Sequence, residues 1–308
     1  MTILLATDFA ADKLAGWRRL LEAALPEERF VTDRQDAAID IALVANPPPG
    51  ALAGLPGLRL IQSMWAGVDK LLADPTVPAG VPLARMVDPA TSEAMAQTAL
   101  WAVLGLHRGY FDYARQQQAR QWRVLPQRRA DELHVAVLGM GAMGRACARR
   151  LAALGYRVSG WATRPAAIEG IAMHAGDAAL DDLLATADVV IDLLPLTPAT
   201  QGFFDRARFA RMRRGASLVN LARGAHVVEA DLIEALDQGQ LQRVVLDVFA
   251  TEPLPADHPL WVHPQVTVLP HAAAQTDLRT ATQVAAQNVR ALRAGRPLAH
   301  LVARARGY

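Results

Sequence analysis

Gly139, Gly141 and Gly144 stand in G-x-G-x-x-G spacing, directly after the apolar run HVAVL (134–138) and before a helical segment over about 145–154. In a strand–turn–helix context each glycine has its own task. Gly139 makes the tight turn, Gly141 admits the backbone to a pyrophosphate, and Gly144 lets helix and strand pack closely. The helix N-terminus beyond them, at Ala142 and Met143, offers unpaired N–H groups and a partial positive charge to phosphate. Glycine turns are common, and a close-packed βα turn without a ligand is the bland alternative. The further β-type runs behind this one favour a dinucleotide.

The end of the next strand selects the coenzyme. An NAD site carries an acid there, roughly 20 residues on, to bond the ribose 2′-hydroxyl. Here RVSGW (157–161) ends in Ala162-Thr163-Arg164, with no acid. A guanidinium can pair with a 2′-phosphate and the Thr163 hydroxyl can add a bond, so NADPH is the expected coenzyme, with NAD possible. Read blandly, Arg164 is a solvated loop residue before Pro165.

In a doubly wound sheet, ligands gather outside the carboxyl ends of the strands. The third run, DVVIDLL (188–194), ends in Leu194 and Pro195. The fourth, SLVNLA (217–222), ends in Leu221-Ala222-Arg223. The fifth, RVVLDVF (243–249), holds Asp247, with Glu252 close behind, and the sixth, QVTVL (265–269), runs into Pro270-His271. Each is unremarkable alone, as a surface arginine, a helix-capping acid or a turn histidine. Together they place one arginine, two carboxylates and one histidine on the edge that the glycine turn opens.

These residues need a scaffold that aligns strand ends, and the chain reads as one. From His134 six β-type runs alternate with helical segments such as 142–153, 205–211 and 229–237. Residues 1–88 show the same alternation, with ILLA (3–6), IDIALVA (39–45), LRLIQSM (58–64) and a helical pattern over 11–24. The expected fold class is therefore α/β, with two Rossmann-like domains of doubly wound parallel sheet. Thr91–Trp122 reads as one long helix able to bridge them. The pattern over 276–294 can cap either sheet. The expected division is a flavodoxin-like, substrate-binding domain over 1–100, completed by 277–308, and a dinucleotide-binding domain over 101–276.

Composition sets the outer bounds. With 308 residues and a prior of about 150 per domain, two domains are expected. Apolar residues at 52% against 20% charged supply a large core and exclude a disordered chain. The single cysteine, Cys147, excludes a disulfide framework and suits a reducing compartment. Its place in the helix after the glycine turn is that of a small buried hydrophobe. The opening MTILLATDFA lacks the basic start of a secretory signal, and no uncharged run approaches the ~18–20 residues of a membrane span. A net charge of +2, spread along the chain, is no nucleic-acid footprint. A cytoplasmic protein without membrane or nucleic-acid partner is expected. His258 and His263 fit no ligand spacing, and no metal is expected. Arg206, Arg208, Arg211, Arg213 and Arg214 read as a solvated helix face.

Three long segments carry a family resemblance. LVNLARGAHVVEADLIEALDQGQL (218–241), LDVFATEPLPADHPLW (246–261) and VTVLPHAAA (266–274) resemble the signatures of the D-isomer-specific 2-hydroxyacid dehydrogenases. With MWAGVDKL (64–71) and the glycine turn, the likeness covers most of the chain from about residue 40. NLARGAHVVE and ARARGY (303–308) are most similar to the family's bacterial glyoxylate/hydroxypyruvate reductase A branch.

The resemblance implies hydride transfer between the nicotinamide C4 and the C2 carbon of a small 2-oxo acid, glyoxylate or hydroxypyruvate. Making a hydroxyl from a carbonyl needs a proton, and His271 takes the donor's role. A neighbouring carboxylate favours the proton-carrying form, and Glu252 matches the family position for it. Arg223 would grip the substrate's carboxylate and carbonyl with paired donors. Asp247 matches a position near the nicotinamide and is read as a binder. The dinucleotide set is then Gly139, Gly141, Ala142, Met143, Gly144, Thr163, Arg164, Leu194, Pro195, Leu221, Ala222, Asp247 and His271. Trp65, Ala66, Gly67 and Val68 would join Arg223 and His271 on the substrate, the three backbone N–H groups after Trp65 taking its carboxylate. An ordinary βα turn is the alternative there.

The family likeness also implies an active site in the cleft between the domains, closing to exclude water, and a homodimer through the cofactor domain. Trp122 resembles an aromatic that reaches a partner's pocket. Ala45, in the loop Ala45-Asn46-Pro47, stands where this branch would carry a bulkier aromatic, so a roomier pocket is expected. A reductase of a larger 2-oxo acid, or a dinucleotide-sensing, corepressor-like binding protein on the same scaffold, are the competing readings.

Overall fold

The computed structural model describes residues 1–34 and 38–308. The chain divides into two compact units, Met1–Thr91 with Thr276–Tyr308, and Ser92–Gln275.

In the first unit, β1 (Thr2–Thr7), α1 (Ala11–Ala24), β2 (Arg29–Val31), β3 (Ile39–Ala45), β4 (Leu60–Ser63), α2 (Asp69–Ala73) and β5 (Leu83–Ala84) follow in order. Their parallel sheet runs β2-β1-β3-β4-β5, a flavodoxin-like order. Strands covered on both faces read as continuous apolar runs, and IDIALVA is buried at six of its seven positions. β2 and β5 escape sequence reading because three and two residues are too few to show a period.

The second unit opens on α3 (Pro89–His107), which starts at the tail of the first, and α4 (Tyr110–Gln118). Next come β6 (His134–Leu138), α5 (Ala142–Ala153), β7 (Arg157–Ala162), β8 (Ala172–Ala175), α6 (Asp177–Thr186) and β9 (Val189–Asp192). It closes with α7 (Arg206–Arg211), β10 (Ala216–Asn220), α8 (Glu229–Asp237), β11 (Leu241–Leu246) and β12 (Val266–Val268). The sheet is parallel throughout, ordered β12-β11-β10-β9-β6-β7-β8. It has seven strands where six were expected. The extra one, β8, is an edge strand of sequence AMHA, with no β-branched residue to announce it.

The expected long helix over Thr91–Trp122 is two helices. α3 stops at His107, Gly109 turns the chain at φ +69°, and residues 119–121 follow α4 without regular structure. A Cβ at Gly105 would lie 2.5 Å from the Phe111 ring, so glycine there leaves room for α4 to seat its aromatic on α3. The helix does belong with the second unit from Ser92 on. Met95, Ala96, Ala99, Ala102 and Val103, at helical spacing, are buried among Val135, Val137 and Val189 of the sheet.

The last helix, α9 (Leu278–Arg293), returns to the first unit and packs on α1. Its Ala281, Ala285, Ala286 and Val289 share a core with Trp17 and Leu21. Arg293 fastens the contact. Its guanidinium donates to both oxygens of Glu28, at 2.6 and 2.8 Å, and to Asp40. All three side chains are largely buried, and the hydrogen bonds from Arg293 to Glu28 hold the guanidinium above its ordinary value. Removing one member of such a cluster strands the others. Arg293→Ala should therefore cost about 3–5 kcal/mol of the first unit's stability in urea denaturation. A loss below ~1 kcal/mol would mean that the cluster is as weak as an exposed pair.

Candidate active site

The glycine turn joins β6 to α5 as its spacing requires. Gly139 has φ +92°, and a Cβ on it would lie 2.4 Å from the Leu193 carbonyl oxygen. A Cβ on Gly144 would lie 2.0 Å from the Gly139 carbonyl oxygen. At Gly141, by contrast, the space is open. Two glycines are thus demanded by packing, and the middle one leaves an approach to the N-terminus of α5, which no side chain caps. That is the cradle a pyrophosphate needs. Ala142 and Met143 form the first turn of α5. Thr163 and Arg164 are exposed just past β7, and among the described residues Arg164 has no ion-pair partner. No acid stands at that strand end, so the residues present fit a phosphorylated ribose better than a bare one.

The loop after β9 carries Leu194 and Pro195. The Asp192 carboxylate accepts the Leu194 N–H at 3.0 Å, and the Thr200 hydroxyl donates to the Pro195 carbonyl at 2.7 Å. After β10 the Asn220 side chain brackets the arginine turn. Its Oδ1 accepts the Ala222 N–H at 3.0 Å and its Nδ2 donates to the Arg223 carbonyl at 2.9 Å. Leu221 and Ala222 are buried, while the Arg223 side chain is half-buried and donates to the Ala222 carbonyl at 2.7 Å. Gly224 explains the tightness of the next step. A Cβ there would fall 1.9 Å from the Phe249 carbonyl carbon, so only glycine lets this turn lie on the loop after β11.

That loop holds the acid–imidazole pair. Glu252 Oε1 accepts the Phe249 N–H at 3.0 Å, and its Oε2 meets His271 Nδ1 at 2.7 Å. A carboxylate on Nδ1 fixes the ring's tautomer and leaves Nε2 without a partner among the described residues. His271 has φ +52°, a left-handed backbone that costs on the order of 1–3 kcal/mol unless its surroundings enforce it. Asp247 enforces it. Its carbonyl accepts the His271 N–H at 2.8 Å, and its carboxylate takes the N–H groups of Ala272 and Ala273 at 2.7–3.1 Å. Thr98 of α3 adds a bond to the Ala273 carbonyl at 2.6 Å. Burial pushes the Asp247 carboxyl above its ordinary value, against the pull of those N–H groups and of His271. At 1% exposure Asp247 is a brace, whereas the His271 side chain, 54% exposed, is available to a ligand.

Of the expected residues, the fold thus brings the glycine turn, Leu194, Pro195, Arg223, Asp247, Glu252 and His271 to the carboxyl edge of one sheet. Trp65, Ala66, Gly67 and Val68 lie in the first unit, after β4. The Ser63 hydroxyl takes the Trp65 N–H and donates to the Trp65 carbonyl, both at 3.0 Å. The N–H groups of Ala66, Gly67 and Val68 have no acceptor among the described residues. Ala45 is wholly buried, in the same core cluster against which Phe9 and Trp65 pack.

Sequence reasoning missed Asp192, Asn220 and His226, all fully buried. An Asn or Asp ending a strand before a turn is a usable signal for the first two. The remaining suspects are structural. Arg206 pairs with Glu234, Arg211 with Asp181, and Arg213 with Asp188, while His258 and His263 contact Glu229 and Asp237. No helix among the described residues is long and apolar enough to cross a membrane.

The arrangement is that of a dinucleotide-binding α/β protein, and comparison with known proteins places it further. A family model for the D-isomer specific 2-hydroxyacid dehydrogenase NAD binding domain matches residues 100–273. Glyoxylate/hydroxypyruvate reductase A of Serratia proteamaculans is 40% identical over 304 residues, covering 97% of this chain and 96% of that protein. A D-isomer specific 2-hydroxyacid dehydrogenase of Xanthobacter autotrophicus, solved with NADPH and MES, superposes with a TM-score of 0.95 at 37% identity, over 100% of this chain and 99% of that one. An NADPH-dependent glyoxylate/hydroxypyruvate reductase of Sinorhizobium meliloti, solved with NADP and sulfate, gives 0.93 at 33% identity, over 100% and 99% of the two chains. The chain belongs to the D-isomer-specific 2-hydroxyacid dehydrogenase family.

Cys147, beside the glycine turn in α5, takes no part in this chemistry. It is wholly buried, and burial pushes its thiol up to about 12. At neutral pH the native protein should leave a thiol reagent such as DTNB unreacted, and release one thiol on unfolding. Rapid labelling of the native protein would show that α5 opens.

Proposed function

We propose that this protein reduces small 2-oxo acids, glyoxylate to glycolate and hydroxypyruvate to glycerate, with NADPH preferred over NADH. The observation that carries the reading is the 2.7 Å contact between Glu252 and His271 Nδ1, on the same sheet edge as the open Gly141 cradle. Gly139, Gly141, Ala142, Met143 and Gly144 would hold the pyrophosphate, Thr163 and Arg164 the 2′-phosphate, and Leu194, Pro195, Leu221 and Ala222 the remainder, with Asp247 bracing the loop of His271 at the nicotinamide end. When bound, the dinucleotide supplies the hydride that reaches C2 of the oxo acid. His271 Nε2 delivers a proton to the carbonyl oxygen, while Glu252 holds Nδ1 and balances the imidazolium charge. Arg223 binds the substrate's carboxylate and polarises its carbonyl with two parallel N–H donors. The backbone N–H groups of Ala66, Gly67 and Val68 take the carboxylate as well.

The 40% identity to a glyoxylate/hydroxypyruvate reductase A supports the substrate class, and the NADP-bound relatives support the coenzyme. The test is a panel of 2-oxo acids assayed with both reduced coenzymes, on wild type and Arg223→Ala. Glyoxylate and hydroxypyruvate should be turned over with a higher kcat/KM for NADPH. Arg223→Ala should lose about 10²–10³ in kcat/KM while its NADPH affinity stays within a few-fold. Preference for a bulky 2-oxo acid would move the assignment to a larger substrate. Binding of NADPH without turnover of any oxo acid would favour a dinucleotide sensor.

We further infer a cytoplasmic homodimer formed through the second unit. Trp122, 99% exposed, with the exposed Trp101, Tyr110 and Val124 nearby in sequence, supports that reading, because large apolar groups facing solvent are suited to a partner surface. Sedimentation should give twice the chain mass for wild type and a shift toward monomer for Trp122→Arg. A monomeric wild type would refute the assignment.

A further inference from the structure

Asp192 and His226 form a fully buried pair that the proposed chemistry does not use. Oδ2 of Asp192 accepts from His226 Nδ1 at 2.6 Å, and neither side chain has any exposed surface. Burying a carboxylate and an imidazole together is costly unless their geometry is put to use. His226 Nε2 is also buried with no partner among the described residues. A leucine at 226 would fill that space without a stranded ring nitrogen.

What distinguishes the pair is where its ends attach. Asp192 is the last residue of β9, and its other oxygen accepts the Leu194 N–H at 3.0 Å. That fixes the loop whose Leu193 and Leu194 backbone abuts Gly139, where a Cβ would stand 2.4 Å from the Leu193 oxygen and 2.9 Å from the Leu194 nitrogen. His226 closes the short turn after β10. Its N–H donates to the Arg223 carbonyl at 3.2 Å, and its own carbonyl accepts the Phe204 N–H at 2.8 Å. One continuous path therefore runs from the glycine turn through Leu194, Asp192 and His226 to the backbone of Arg223.

We propose that Asp192 and His226 are positioning residues that fix the Arg223 turn relative to the dinucleotide turn, so that the guanidinium meets the oxo acid at the right distance from the hydride donor. The inference rests on the role given to Arg223 above. It assigns no contact between the pair and substrate. A carboxylate with one oxygen on each loop holds the two loops in one register, which an apolar contact would leave free to slide. Displacements near 1 Å at a hydride-transfer site can cost about a hundredfold in rate.

The test contrasts His226→Asn, whose side-chain amide N–H stands near the place of Nδ1, with His226→Gln, whose amide lies one bond further out. Asp192→Asn, which keeps an acceptor for Leu194 but no charge, supplies a third variant should the Gln form fail to fold. Four quantities are read on each: melting temperature, NADPH affinity, affinity of the NADPH-loaded protein for oxalate as an oxo-acid mimic, and kcat for glyoxylate. In His226→Gln, or in Asp192→Asn in its place, oxalate affinity and kcat should fall about tenfold or more, with NADPH affinity moved less than about threefold, and His226→Asn should recover most of the loss. Variants that lower only the melting temperature, or that weaken NADPH as much as oxalate, overturn the proposal. Oxalate binding that depends on the pair in a protein that reduces no oxo acid would leave the positioning role standing and remove the reductase reading instead.

Discussion

Parallel pairing of β6 with β7 on one side and β9 on the other is the constraint from which the site follows. Because the chain leaves β6 in one direction for its first neighbour and later returns on the opposite side, the connecting segments part at its carboxyl end. Only there can a helix N-terminus point at a ligand without a neighbouring crossover in the way. The glycines are the local cost of this arrangement. Leu193 presses against Gly139 on one flank and Gly144 presses back on the other, so the turn has no room for any side chain at either.

The next strands repeat one device along the same edge. Asp192, Asn220 and Asp247 end or directly follow β9, β10 and β11, and none exceeds 1% exposure. Asp192 and Asn220 are register partners, and each accepts the backbone N–H two residues ahead of it. Asp247 reaches across to Ala272 and Ala273 instead. In each case a buried oxygen satisfies amide groups that the end of a strand leaves unpaired, and so makes a loop as rigid as the sheet. Chemistry mounted on such loops inherits the precision of the core.

Much of this was legible in residue types. HVAVL followed by the glycine spacing specifies β6, its turn and α5, and the pattern over 11–24 gives α1 to the residue. The placement of Arg223, Glu252 and His271 along one sheet edge was readable because motif and strand end coincide. Other features were not. β8 carries no β-former, and the break at Gly109 hides inside a stretch without Gly or Pro clusters that continues on both sides. The partnership of Asp192 with His226 joins positions 34 apart on separate loops, and no local period encodes it.

The return of α9 to the first unit has a consequence for synthesis. The second unit is drawn from one uninterrupted stretch, Ser92–Gln275, and can complete its core as soon as that stretch has left the ribosome. The first unit emerges earlier yet must wait, with Trp17 and Leu21 uncovered and Glu28 and Asp40 facing no guanidinium, until the final segment arrives. Order of emergence and order of completion are thus reversed in this chain, and the nascent segment Met1–Thr91 spends the longest time with exposed apolar surface.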